Sequence, residues 1–193
     1  MAVLLLLLLL AVAGVVLVLQ RSRRRLGSRP LPLRERTLFD LRLGDIVQAD
    51  ARDWVVEDRL IYEEDGFQWL EYLVRDRQDA RWLVVCEDDW LEVSWLETMD
   101  FRPPRPLPQE LTWQGNVYTL REQGEATVTA TARTMNRRPG RCRYADYVAR
   151  EGRLLGAELW GVGEDQEVEV SVGWRIDPSC LTLLPGDGRS VYR

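Results

Sequence analysis

Outside its first nineteen residues the sequence carries no sustained 3.6-residue periodicity, and its clearest pattern repeats every second residue. Between Glu167 and Trp174, the apolar Val168, Val170, Val172 and Trp174 alternate with Glu167, Glu169, Ser171 and Gly173. Successive side chains of a strand point to opposite faces, so this pattern predicts a half-buried strand. Thr127, Thr129 and Thr131 alternate in the same way with Val128, Ala130 and Ala132. A chain patterned like this has to build sheets, with helix a minor part of whatever follows residue 19.

The remaining strand signals fall into two series. In the first, Gly44 and Asp45 open onto Ile46 and Val47, followed by Trp54–Val56 and Leu60–Tyr62, rich in the β-branched and aromatic residues that suit a pleated surface. Asp65 and Gly66 mark a hairpin turn. Phe67 to Arg75 returns as a strand, with Arg81 to Glu87 and Trp90 to Leu96 after it. In the second series come Asn116 to Arg121, Glu125 to Arg133, Cys142 to Arg150, Arg153 to Trp160 and Glu167 to Trp174. Pro103, Pro104, Pro106 and Pro108 divide the two, as a stiff connector rather than a PxxP ligand. The expected fold is therefore all-β and antiparallel, a sandwich or barrel. The segment Trp69–Leu73 lines up with Tyr144–Val148 at an offset of 75, each reading aromatic, any, acid, aromatic, apolar, which points to two duplicated β units.

The start of the chain reads differently. Residues 2–19 are uncharged and include seven consecutive leucines, Leu4 to Leu10. At about 1.5 Å per residue a helix of this length spans roughly 27 Å, enough to cross a bilayer core. Arg21, Arg23, Arg24 and Arg25 follow at once, so the positive-inside rule predicts a single-pass protein of the cell membrane with its N-terminus outside and its C-terminal domain cytoplasmic. A cleaved signal peptide would carry its basic residues before the apolar run instead. The expected organisation is a transmembrane helix at 2–19, a basic juxtamembrane linker at 20–37, a β domain at 38–180 and a tail at 181–193. Within the β domain, units of about 38–100 and 109–180 are joined by the proline-rich 101–108.

Composition narrows the chemistry. All 26 basic residues are arginine, and the chain has neither His nor Lys. That removes imidazole-based triads, histidine-ligated metals, lysine Schiff bases and the P-loop. Cys86, Cys142 and Cys180 stand far apart, without the close spacing of a thiolate metal or redox site. Nothing in the sequence calls for a cofactor or a bound metal. From residue 38 onward 19 Arg face 30 Asp plus Glu, a net of −11, so the domain is not expected to bind nucleic acid.

Leu43-Gly44-Asp45, Trp69-Leu70-Glu71-Tyr72, Trp82-Leu83, Gly115 with Tyr118, and Asp146-Tyr147 together resemble a bacterial domain family of unknown function, number 4178, over about residues 40–175. That family has no assigned activity or catalytic residues, so the resemblance transfers no role to any position. It implies an N-terminal membrane helix, and an association with small membrane proteins and polyamine-synthase-like genes that hints at a membrane-associated system.

Glu71 and Asp146 are the leading site candidates, because each lies mid-strand between aromatic residues, where a carboxylate is costly to bury alone. Brought together, they would share a proton as acid and base, or bind a cation beside Trp69, Tyr72, Tyr144 and Tyr147. The plainer alternative is two acids facing water on half-exposed strands. Gly161-Val162-Gly163 resembles the start of a dinucleotide fingerprint but lacks the following helix, and a hairpin turn explains it better. Glu63–Asp65 and Glu87–Asp89 lack the spacing of a calcium loop and read as solvated turns. Trp90 and Trp95 are expected to pack in the core or between the two units rather than to form a sugar or base platform. The functional expectation is a membrane-anchored binding or scaffold module, with a membrane protein as partner. A cation or polyamine binder, or a carboxylate-dependent enzyme, are the alternatives.

Overall fold

The structure, a computed structural model, describes residues 35–130, 139–161 and 166–186. The expected membrane helix, most of the basic linker, residues 131–133 and 162–165, and the end of the tail lie outside the described residues. Among the described residues no helix is long and apolar enough to cross a membrane.

Eleven strands follow in chain order: β1 (Ile46–Ala49), β2 (Arg52–Glu64), β3 (Phe67–Asp76), β4 (Asp79–Glu87), β5 (Leu91–Met99), β6 (Glu110–Trp113), β7 (Asn116–Ala130), β8 (Gly140–Val148), β9 (Arg153–Trp160), β10 (Glu167–Arg175) and β11 (Thr182–Leu184). The only other regular elements among the described residues are short 3-10 turns at Arg150–Gly152 and Pro178–Cys180. The expected all-β, antiparallel architecture is what forms. Two-residue turns close the hairpins with the left-handed backbone that matches strand twist: Asp65-Gly66 at φ 51° and 89°, as the sequence predicts, and Gln114-Gly115 at 47° and 77°.

The pairing order runs β11-β1-β2-β3-β4-β5-β10-β9-β8-β7-β6, with a further pairing between β2 and β7. That last contact closes β2-β3-β4-β5-β10-β9-β8-β7 into an eight-stranded antiparallel ring, which resolves the choice between sandwich and barrel. One plan is used twice. The outer edge of β2 pairs first with β1 and then with β7, while the outer edge of β7 pairs first with β6 and then with β2. Each of these long strands also carries a bulge, between Val56 and Asp58 in β2 and between Leu120 and Glu122 in β7. The residue opposite the last position before the bulge is Val74 in one half and Tyr147 in the other, an offset of 73 rather than 75. In register, Glu71 therefore corresponds to Tyr144, and Leu73 to Asp146.

Two segments differ from their sequence reading. Asn116–Arg121 and Glu125–Ala130, the described part of the expected Glu125–Arg133, are two strands in the sequence reading and run together as β7 through Gly124. Residues Thr182–Leu184, assigned to the tail, pair with β1 as β11.

Three clusters of buried side chains result. The inward face of the ring holds Leu60, Tyr62, Leu73, Trp82, Ala126, Val128, Cys142, Tyr144 and Trp160, contributed by both halves. Outside the first half, Trp54, Val56, Tyr72, Leu83 and Trp95 pack beneath Leu38, Leu41 and the Ile176–Leu183 return. Outside the second half, Tyr118, Ala145, Tyr147, Leu155 and Val170 pack beneath Leu111, Phe101 and Leu107. The proline-rich connector is thus part of a core, and the Pro108 carbonyl accepts a 2.9 Å hydrogen bond from the Tyr147 hydroxyl. Asp45, 1% exposed, is ion-paired to Arg36 at 2.7 Å and accepts from the backbone N–H groups of Arg42 and Gly186. The Leu43-Gly44-Asp45 motif accordingly ties both ends of the domain to β1.

Candidate functional site

Alternation decides which candidate residues meet. On β3, Trp69 and Glu71 share the inward face while Tyr72 turns outward into the first-half cluster. On β8, Tyr144 and Asp146 face inward and Tyr147 turns outward into the other cluster. Of the six sequence candidates, the structure gathers Trp69, Glu71, Tyr144 and Asp146, and it sends Tyr72 and Tyr147 to opposite outer faces. Burial raises both outward hydroxyls, that of Tyr72 to about 12.

Four of the inward aromatics hold a carboxylate. Trp69 stacks on Tyr62 with ring centroids 4.9 Å apart and meets Tyr144 edge-on at 5.3 Å. Trp69 Nε1 donates to Glu71 Oε1 at 3.4 Å, the Tyr62 hydroxyl donates to Glu158 Oε1 at 2.8 Å, and the Tyr144 hydroxyl donates to Glu64 Oε2. Trp160 Nε1 adds a second donor to Glu158 at 3.2 Å. Glu71 and Glu158 are 7% and 8% exposed. Neutral donors satisfy part of each carboxylate's hydrogen-bonding capacity without cancelling its charge.

At the end of the ring where β4 gives way to β5, more acids converge. Asp146 stands opposite Glu122 in the β7–β8 register, and both keep exposed surface. Desolvation there, followed by repulsion from Glu71 and Glu122, raises its pKa to about 7, with Arg121 opposing. Arg121 projects from the β7 bulge to Glu92 at 3.4 Å, and Arg175 reaches the same carboxylate at 2.9 Å. Cys86, opposite Trp69 in register, is pushed up by burial and by Glu92, Glu122 and Asp88. It therefore stays a thiol rather than a nucleophilic thiolate. Among the described residues, no three acidic or cysteine side chains are gathered closely enough to hold a metal ion.

A family model described as a domain of unknown function, DUF4178, matches residues 42–178. The chain belongs to that family. No curated protein and no solved structure matches it.

Several members of this DUF4178 site escape a strand-by-strand reading. Glu122 faces inward only because the bulge at Arg121 flips the alternation, and Tyr62, Glu64 and Glu158 come from strands whose facing was open. Gly124 was the available signal. A Cβ there would stand 2.2 Å from Glu64 Oε1, so glycine leaves the room in which the Glu64 carboxylate rests, held by Tyr144 and by the Glu125 N–H at 2.9 Å. Gly124→Ala should expel Glu64 and lower stability by about 1–2 kcal/mol through the two lost hydrogen bonds. Chemical denaturation checks this: the loss should vanish in a Glu64→Ala background, and an equal loss in both backgrounds would show that Glu64 is not what the glycine accommodates.

The acidic turns behave as turns, with Glu63 accepting from the Gly66 N–H at 2.9 Å. Trp95 is buried as expected, whereas Trp90 is 62% exposed, its indole N–H satisfied by Glu92 at 2.9 Å.

Proposed function

We propose that this DUF4178 domain is a membrane-tethered binding module whose acid-lined ring takes an organic cation. The observation that carries the reading is that Glu122 stands opposite Asp146 in register and Glu71 adds its charge to theirs, while the nearby positive charge, Arg121, is already engaged by Glu92. A bound cation would offset the desolvation and the repulsion that together raise the Asp146 pKa. The aromatic rings act mainly as a wall that lowers the local dielectric, since Tyr62, Trp69 and Tyr144 cover much of one another's faces. An ammonium group with a short aliphatic stem, as in a diamine or polyamine, suits acids set in an aromatic wall. Asp146 also has the pKa of a general acid or base, and that favours the enzyme reading as the alternative.

Residues 2–19 hold the domain at the membrane in this reading, with the arginines that follow on the cytoplasmic side and a membrane protein as partner. The shared pairing plan and matching bulges support tandem duplication of one five-strand unit. The two acids are then not symmetry mates but later, one-sided additions, since Leu73 and Tyr144 occupy the corresponding positions.

Calorimetric titration of the full chain in mild detergent with putrescine tests the reading. Binding should weaken at least tenfold, about 1.4 kcal/mol, in the Glu71→Gln/Asp146→Asn double variant. Equal binding in both proteins, or none in the wild type, would remove the acid cluster from the function.

A further inference from the structure

Away from the acid-lined end, an open groove of about 680 Å³ runs between the proline-rich connector and the outer face of β7, β8 and β9. We propose that this groove is a binding site for an organic phosphate, its oxyanion held by the guanidinium groups of Arg105 and Arg143. The volume lies within the range of small-molecule sites. In a domain this rich in acids, several arginines are held by carboxylates: Arg52 by Asp76 and Asp79, Arg81 by Glu97, Arg121 and Arg175 by Glu92, and Arg141 by Glu125. Arg105 and Arg143 line one groove, and neither is ion-paired with a carboxylate among the described residues.

The local pairing accounts for this. Arg143 lies opposite Glu125 in the β7–β8 register, yet Glu125 is taken by Arg141 at 2.9 Å, which leaves the Arg143 fork facing the groove. Arg105 is oriented from behind, donating to the Gln166 carbonyl at 3.0 Å and to its side-chain oxygen at 3.3 Å. Neutral contacts leave its full charge available. A planar guanidinium offers paired donors that match phosphate oxygens, and two of them from separate elements form a clamp. Gln123 and the Gln166 amide add polar groups without charge, while Leu107 and Leu159 give an apolar wall for an organic substituent. The Glu64 carboxylate accepts hydrogen bonds from the Tyr144 hydroxyl and the Glu125 N–H.

The test uses the full chain in mild detergent at low ionic strength, titrated with pyrophosphate, with AMP and with phosphate-free adenosine. Pyrophosphate and AMP should bind and adenosine should not. Arg143→Gln should weaken both roughly tenfold, while Arg153→Gln, an exposed arginine at the start of β9 outside the groove, should leave both unchanged. A repeat in nanodiscs assigns the source. AMP binding that weakens when phosphatidylglycerol replaces phosphatidylcholine identifies a lipid headgroup as the ligand, and unchanged binding identifies a soluble phosphate ester. No binding of either phosphate, or equal losses in the two arginine variants, would overturn the proposal.

Discussion

Replacing Trp82 by alanine should lower the unfolding free energy by about 3–5 kcal/mol, the range for large-to-small aromatic substitutions in a packed core. Trp82 is 1% exposed on the inward face of the ring, among side chains from both halves of the chain, and its indole N–H donates to Thr98 Oγ1 at 3.1 Å. Its loss leaves a cavity at the one cluster the two halves share, so the whole ring should be weakened. In a domain of this size the change corresponds to a fall in Tm of roughly 10 °C. Trp90→Ala is the matched control: at 62% exposure it should change stability by no more than about 0.5 kcal/mol. Urea denaturation followed by near-UV circular dichroism gives both values, and similar values for the two variants would contradict the closed ring with a shared interior.

The second large effect is in the pH dependence of stability. Asp146 has a folded pKa of about 7, above the value of about 3.9 expected in the unfolded chain. Between those values the folded state binds more protons than the unfolded state, so this group's contribution makes stability fall as pH rises from about 4 to about 7 and level off above. Allowing for the water that reaches the carboxylate, the loss is on the order of 1–2 kcal/mol. Asp146→Asn should remove that slope, matching the wild type near pH 4 and exceeding it at pH 8. Denaturation curves across the range check this, and a wild type no less stable than the variant at pH 8 would mean that Asp146 is not confined among acids.

The same period-two rule explains what was legible in the sequence and what was not. It found the strands, and with Asp65-Gly66 it found a hairpin, because alternation and a left-handed turn are local properties. It also singled out Glu71 and Asp146, since a carboxylate flanked by aromatics in a strand is conspicuous. Applied strictly, it would have separated the candidates too: Tyr72 follows Glu71 directly and Tyr147 follows Asp146 directly, so neither tyrosine can share its neighbour's face. Glu122 could not be placed in this way, because a one-residue bulge reverses facing and leaves no mark in composition. The 75-residue alignment matched chemistry rather than backbone, and the register of the bulges moves it by two. Ring closure through β2 and β7 depends on contacts more than sixty residues apart, which no window of the sequence contains.

The most direct test of the acid-lined ring as a cation site is the number of protons released when putrescine binds. It is measured by calorimetry near pH 7 in buffers of different ionisation enthalpy, with the full chain in mild detergent. A cation that binds beside Asp146 favours its ionised form, so the wild type should release a fraction of a proton per ligand, and Asp146→Asn should bind more weakly and release none. Binding with no proton release, or with the same release from both proteins, would place the cation elsewhere and contradict the account.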